Sequence, residues 1–244
     1  MGRKEIKMIY DISYAQRGLQ LKDLPNKEAI ILRLGIKDHI DTEFENHIKQ
    51  IGASGTFFGL YWFVHSADAE GALKEASVIM KILQEQKKKW GFFNNLFQLP
   101  LFLDYEAWLD GNGKVYYDDN IKPANFSDTA TVFKYYLEAE TNLGLYLNTG
   151  LLNQYLPSPS VSTEARSMCK ENLWWADWTS NTSCPAGNYY IRQTGKGNYN
   201  GTYVDENVKG NGFKLYVPNT EKEWKDFKQV YLDETYRIII QKKG

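Results

Sequence analysis

The sequence predicts an α/β fold, an irregular TIM-like barrel of five strand-helix units followed by three strands, with a short C-terminal extension. Three observations lead there. Up to residue 156, short apolar runs that read as buried strands alternate with amphipathic stretches of helical spacing. Past Pro157-Ser158-Pro159, strand follows strand, separated by Gly, Asn and Pro clusters with no room for full helices. The runs come to eight, a number that closes a barrel of parallel type, and 244 residues are a common length for such a barrel in one domain. Residues 1–208 are assigned to the barrel and 209–244 to the extension; there is no internal repeat.

Residues 6–12 (IKMIYDI) make the first strand, carrying Asp11 at its end, and Ser13-Tyr14-Ala15-Gln16 opens a loop. Residues 29–35 (AIILRLG) make the second and bring Arg33 inside, where a cation needs an anionic partner; one of the buried acids is the expected one. Residues 41–52 hold Phe44, Ile48 and Ile51 at helical spacing, with Thr42 as N-cap and Gly52 near the stop. Residues 57–63 (FFGLYWF) are the third strand, and 66–90 a long helix with Ala69, Leu73, Ala76, Met80 and Leu83 on one side and Lys87 to Lys89 as a solvated end. The fourth strand is 99–106 (LPLFLDYE). Gly111-Asn112-Gly113 marks a loop, Ser127 or Asp128 caps a helix running to about Thr141, 144–148 (GLYLN) is strand five, and 149–156 is a short amphipathic piece. Residues 173–178, 189–194 and 202–208 are the last three strands. The tail from Phe213 has a helical piece near 221–230 and an apolar YRIII at 236–240, too apolar for a free linker, so it is expected to dock on the barrel or on a second copy of the chain.

The fourth strand closes on Asp104 and Glu106. Side chains at i and i+2 leave a strand on one face, and two carboxyls emerging together repel unless one holds a proton. A general acid working near neutral pH arises in this way. An isolated D-x-E also describes the polar rim of a strand entering a loop. As barrel strands, however, these runs place Asp11, Asp104, Glu106 and Asp205 at or near C-terminal ends, the face on which such barrels assemble a site from several strands. Trp174, Ala176 and Trp178 share one strand face, the small Ala leaving room between two indoles, and Tyr61, Tyr146, Gln193 and Arg33 complete the set of candidate ligand contacts. Filling the barrel is a role of comparable weight for Tyr61 and Tyr146.

Composition excludes several classes. A formal net charge of -1 with no long basic block argues against a nucleic-acid surface. No stretch approaches a membrane span, and MGRKEIKM has no apolar core of a signal peptide, so no membrane insertion is expected. His39, His47 and His65 are scattered, no cluster has metal-ligand spacing, and no cofactor is expected. Cys169 and Cys184 are too few for a disulfide framework; they are read as reduced thiols, with a single pairing around one loop as the alternative. An aromatic content of 15%, with 7 Trp and 17 Tyr, exceeds what a core usually requires and suits the flat faces of sugar rings.

Taken in chain order, Asp11-Ile12-Ser13 with Gln16, the strand at 57–63, Leu103-Asp104-Tyr105-Glu106, Leu173-Trp174-Trp175-Ala176 and Tyr203-Val204-Asp205-x-Asn207 resemble glycoside hydrolase family 25. This is the Chalaropsis-type lysozyme family, which includes many phage endolysins. The resemblance implies the same irregular barrel and hydrolysis of the β-1,4 bond between N-acetylmuramic acid and N-acetylglucosamine in bacterial peptidoglycan. Glu106 is assigned as the acid. By resemblance, Asp104 orients the substrate acetamido group, whose carbonyl oxygen attacks with retention, and Asp11 and Asp205 keep Glu106 protonated and Asp104 ionised. Asp104 is closely placed for a direct displacement across a sugar ring, which disfavours a nucleophile role. The sequence departs from the family at Gln16-Arg17-Gly18, where Gln-Gly is commoner, and after Val208, where no wall-binding repeat follows. The alternatives are a chitinase-like hydrolase, against which Phe102 interrupts the D-x-x-D-x-D-x-E pattern, and a non-catalytic wall-binding or phage baseplate barrel, against which all four acids are present. The expected place of action is the cell wall, reached from a lysing phage-infected cell or by secretion.

Overall fold

The computed structural model describes residues 7–179 and 183–215. In chain order the strands are β1 (Met8–Ile12), β2 (Lys27–Ile36), β3 (His39–Ile40), β4 (Phe57–Phe63), β5 (Phe97–Asp104), β6 (Trp108–Leu109), β7 (Val115–Tyr117), β8 (Leu143–Asn148), β9 (Leu173–Ala176), β10 (Ile191–Tyr199) and β11 (Thr202–Lys209). Eight of them run in the order β1-β11-β10-β9-β8-β5-β4-β2, and β1 pairs with β2 to close the barrel. The short β3 extends β2, and β6 and β7 form a separate hairpin.

All pairings from β1 through β10 in this ring are parallel. β11 instead runs antiparallel to both β10 and β1, which corrects the expectation of a parallel-type closure. The cause is local. Asn200 and Gly201 both have positive φ, 52° and 86°, and a two-residue turn of this kind reverses the chain into a hairpin.

The helices are α1 (Phe44–Ser54), α2 (Ala69–Lys89), α3 (Phe93–Leu96), α4 (Pro123–Leu137), α5 (Thr149–Tyr155) and α6 (Thr163–Glu171). β1 is followed by two 3-10 turns, Tyr14–Gln16 and Leu21–Asp23. Several boundaries depart from the sequence reading. α1 starts after Glu43 rather than at Thr42 and stops at Gly55, whose φ of 65° only a residue free of Cβ strain adopts easily. Gly52 lies inside it, where a Cβ would meet the Phe92 ring at 2.2 Å. α4 begins at Pro123, whose fixed φ suits the first helical position, so Ser127 is a buried helix residue whose Oγ accepts from the Ser162 N–H at 2.8 Å. α6 occupies a region read as helix-free; Ser162 caps it through the Ala165 N–H, and Ala165, Met168 and Cys169 form its buried side. Lys87 and Lys89 are not simply solvated: they pair with Glu140 at 3.2 Å and Glu45 at 2.6 Å.

Two apolar layers result from the strand alternation. Outward-facing side chains such as Leu60, Trp62, Leu101, Leu103, Leu145 and Trp175 pack under the helices. Inward-facing Ile9, Ala29, Ile31, Tyr61, Leu99, Phe102, Tyr146, Trp174, Tyr190 and Ile191 fill the barrel. Cys169 and Cys184 are both buried free thiols. Phe213 packs on Tyr190 with ring centroids 5.1 Å apart, and the rest of the predicted extension, residues 216–244, lies outside the described residues.

Gly144 sits where β8 crosses its neighbours most closely. A Cβ there would meet the Asn172 carbonyl at 2.5 Å and the Phe102 ring at 2.6 Å, so neither backbone nor buried ring has room to yield. Gly144→Ala is expected to destabilise the fold by roughly 1–3 kcal/mol, the usual cost of overpacking, as read from urea denaturation midpoints.

Candidate active site

The strand period itself makes one barrel mouth acidic. Ile9, Ile31, Phe102 and Ile191 belong to the barrel filling, and two positions further on, on the same faces, stand Asp11, Arg33, Asp104 and Gln193. β11 reaches the same level from the opposite direction, with Asp205 opposite Asp11 and Asn207 opposite Ile9. Asp205 is therefore mid-strand rather than at a C-terminal end, and strand reversal is what delivers it to the mouth.

Asp11, Asp104, Glu106 and Asp205 all meet there, close enough to raise one another's proton affinity. Asp11 is pushed up to about 8, first by burial and then by the Asp205 charge, while hydrogen bonds from Asn207 and Gln193 work the other way. Burial, then Glu106 and Asp11, hold Asp104 well above the usual carboxylate range against the pull of Arg33. Asp104 Oδ1 is buried without a hydrogen-bond partner. Glu106 is pushed up to about 6 by burial, opposed by a hydrogen bond with Tyr146 and reinforced by Asp205. Asp205 is raised by burial, with Lys196 opposing. Burial and like charge thus raise the proton affinity of both Asp104 and Glu106.

A network of amides fixes this cluster. Asn207 Nδ2 donates to Asp11 Oδ2 at 2.7 Å and to the Ile9 carbonyl at 3.2 Å, and its Oδ1 accepts from Trp174 Nε1 at 2.7 Å. Gln193 Nε2 donates to the same Asp11 oxygen at 3.4 Å, while its Oε1 accepts from the Tyr146 hydroxyl at 3.0 Å and from Trp178 Nε1 at 2.9 Å. Trp174 is thereby held inside the barrel, edge-on to Tyr146 and Tyr61, and not on a sugar-facing surface. Nor does it share a strand face with Trp178, because β9 ends at Ala176. Tyr61 and Tyr146 are largely buried beneath the acids.

Arg33 does not pair with any of the four acids. Its Nε lies 2.6 Å from Asp41, and its guanidinium covers the Tyr14 ring at 4.4 Å. Asp41 directly follows β3, a placement that sequence spacing does not reveal, and it also accepts the Tyr14 and Glu43 N–H groups.

Glu106 lies beyond the end of β5, so strand alternation does not aim it. Buried Asn120 does that work instead, donating to the Glu106 carbonyl at 3.0 Å and the Val64 carbonyl at 2.9 Å. Glu75 secures the neighbouring loop by accepting Trp62 Nε1 at 2.9 Å and the Ser66 N–H at 2.7 Å. On this side the mouth is walled by Trp108 of the β6–β7 hairpin, packed against Phe63 and His65, with Lys37 over its ring at 4.7 Å. On the other side Tyr14, Trp178 and Tyr203 are 52%, 53% and 59% exposed. Gln16 Nε2 ties the Tyr203 carbonyl at 3.0 Å, so the departure at Arg17 leaves this contact intact. The sequence reading missed Tyr14 and Tyr203 as rim residues, and Asn120 and Asp41 as supports. For the rim, the available signal was an aromatic residue in or beside a turn at each strand end.

The fold and the acid-lined mouth define a class of irregular α/β barrel with a site at its C-terminal face. No protein-family model matches the sequence, and no match was found among curated proteins. Solved structures do match. The modular autolysin LytC from Streptococcus pneumoniae, determined with a synthetic peptidoglycan ligand, superposes with a TM-score of 0.64 at 18% identity, over 85% of this chain and 47% of that one. A family 25 glycosyl hydrolase from Bacillus anthracis gives 0.58 at 17% identity over 92% and 94% of the two chains. A muramidase from Acremonium alcalophilum gives 0.61 at 16% identity over 89% and 96%. The chain spans about half the length of the autolysin. It has the fold of the family 25 glycosyl hydrolases.

The raised acids set the pH dependence of stability. A carboxyl whose folded pKa lies above its unfolded value keeps its proton in the native state after the unfolded chain has lost it, so stability falls as pH rises between the two. For Asp11, Glu75 and Glu106, raised to about 8, 7 and 6 from values near 4, that window spans about pH 4 to pH 8. Thermal midpoints should decline from pH 5 to pH 8, and Asp11→Asn should flatten the decline. A wild-type midpoint that climbs over this range contradicts the burial argument.

Proposed function

We propose that this chain is a peptidoglycan hydrolase of the lysozyme type, an N-acetylmuramidase cleaving the β-1,4 bond between N-acetylmuramic acid and N-acetylglucosamine. The observation that carries the reading is Glu106, a half-buried carboxyl pushed up to about 6 at the mouth of a family 25 fold, beside three further acids. A group with that proton affinity is protonated often enough to donate and weak enough to return as a base.

The chemistry follows from the roles these residues can take. Glu106 gives its proton to the glycosidic oxygen as the bond to the anomeric carbon breaks. The carbonyl oxygen of the substrate's own acetamido group attacks that carbon, a substrate-assisted route known among glycosidases. Asp104 faces the acetamido nitrogen. Burial raises its proton affinity, and the positive charge that develops on the acetamido group stabilises its ionised form. Water then opens the cyclic intermediate, with Glu106 taking the proton, and configuration is retained. Asp11, fixed by Asn207 and Gln193, and Asp205 supply the negative surroundings that keep the Glu106 proton in place. Trp178 is the sequence-assigned contact that remains at the rim to meet sugar; Gln193 and Tyr146 act from below through their hydrogen bonds, and Arg33 only through its field.

The partner on this reading is the bacterial wall, reached after lysis of a phage-infected cell or by secretion. Among the described residues no helix is long and apolar enough to cross a membrane.

Mass spectrometry of fragments released from purified peptidoglycan tests the bond assignment. Muramic acid is expected at the reducing ends; N-acetylglucosamine there identifies a glucosaminidase, and binding without release identifies a non-catalytic wall-binding barrel. Glu106→Gln should lower turnover by roughly 2 to 4 orders of magnitude, the usual contribution of general acid catalysis, while the thermal midpoint stays close to that of wild type. In wild type, the limb of the pH-rate profile set by the acid should fall near pH 6. Near-normal turnover in a folded Glu106→Gln protein rules out the assignment.

A further inference from the structure

One amide links the exposed rim of the mouth to the proton donor below it. Gln193 is buried on β10, and its orientation is fixed by a neighbour that can only donate: Trp178 Nε1 lies 2.9 Å from one end of the amide. That end is therefore the oxygen, Oε1, and the nitrogen, Nε2, faces Asp11 at 3.4 Å. The same Oε1 lies 3.0 Å from the Tyr146 hydroxyl. An amide oxygen only accepts, so the one hydrogen of that hydroxyl points at Gln193. Tyr146 also faces the Glu106 carboxyl. Toward that carboxyl the hydroxyl is left with lone pairs, and it meets a protonated Glu106 as an acceptor. An ionised Glu106 needs the hydrogen instead, and obtains it only when Tyr146 gives up Gln193.

We propose that Gln193 is a positioning residue that holds Glu106 in its acid form by drawing the Tyr146 hydrogen away from it, and that Trp178 sets the direction of this hydrogen-bond chain. This deepens the reading of Glu106 as the proton donor and rests on it. In the resting mouth the chain runs from Glu106 to Tyr146 to Gln193. Once Glu106 has passed its proton to the glycosidic oxygen, the Tyr146 hydroxyl turns and donates to the new carboxylate, while Gln193 Oε1 keeps Trp178 Nε1 as its donor. No oxygen of the chain is left unpaired in either state. The charged groups around Glu106 are Asp104 on β5, Asp11 on β1 and Asp205 on β11, with Arg33 opposing at Asp104 and Lys196 at Asp205. Lys37 and His65 lie against the nearby Trp108 ring. Turning the hydroxyl changes none of these charges.

The test is an NMR titration of the full-length chain carrying isotope label at its glutamate carboxyls, with Glu106→Gln identifying the resonance. Gln193→Met keeps the side-chain length and removes the amide, so Tyr146 becomes free to donate to Glu106 at all times. The Glu106 midpoint should then fall by about 1 pH unit, the worth of one hydrogen bond to a charged group. The limb of the pH-rate profile on peptidoglycan that Glu106 sets should move with it. Trp178→Phe, at an exposed rim position, should move the midpoint the same way by less, because the amide can then turn its nitrogen to Tyr146. In the Tyr146→Phe background neither change should move it. A midpoint that stays or rises in both single variants overturns the proposal. So does a shift that persists in the Tyr146→Phe background, which assigns the effect to the lost Asp11 bond. Titrations that shift as expected, in a chain that releases nothing from peptidoglycan, uphold the hydrogen-bond chain and overturn the hydrolase reading.

Discussion

Much of this structure depends on holding together carboxyls whose burial and mutual charge raise their proton affinity. The Asn207 amide is the central device. It bonds Asp11, the first-strand backbone and the Trp174 indole at once, so it joins the closing strand of the barrel to the opening one at the level of the acids. An amide donates without contributing charge, and so orients Asp11 without cancelling the crowding that raises the proton affinity of its neighbours. A lysine or arginine in that place would neutralise the cluster and lower it.

The rest of the mouth is arranged around the same constraint. Arg33, a half-buried cation, is drawn aside by Asp41, so its field reaches Asp104 without an ion pair. Trp174, Tyr146 and Tyr61 form an aromatic floor that excludes water from beneath the acids, and desolvation is the first cause of every raised carboxyl in the cluster. The groups that face outward, Tyr14, Trp178 and Tyr203, leave a wet, aromatic rim above a dry, acidic floor. Such layering suits a ligand with flat apolar faces and a reactive bond that must be protonated below the rim.

Glu106 is supported differently from its neighbours. Asp11, Asp104 and Asp205 are fixed by the sheet, but Glu106 is two residues beyond the end of β5 and is held by Asn120, which clamps its carbonyl together with that of Val64. A proton donor that must also act as a base profits from being outside the ladder, where its side chain has room to approach the leaving oxygen without disturbing strand pairing.

The sequence by itself determined the barrel and the residue types at its mouth. Apolar strand runs carry Asp11 and Asp104 at or near their ends, and the strand count and the change of pattern after Pro159 specify a ring whose last part lacks the regular helices. It could not determine partners set by chain reversal. Asn200-Gly201 turns β11 antiparallel, and only that reversal lifts Asp205 from mid-strand to the mouth. The sequence reading likewise put Trp174 on a sugar face and gave Arg33 a buried acid as partner without naming Asp41. An inward-facing residue looks the same in sequence whether it meets solvent, a ring or a charge. What lies across the barrel decides between these, and contacts across a closed sheet join residues more than a hundred positions apart, such as Asp11 with Gln193 and Asn207. Local propensity acts over a few residues and carries no information about which of those distant groups will arrive.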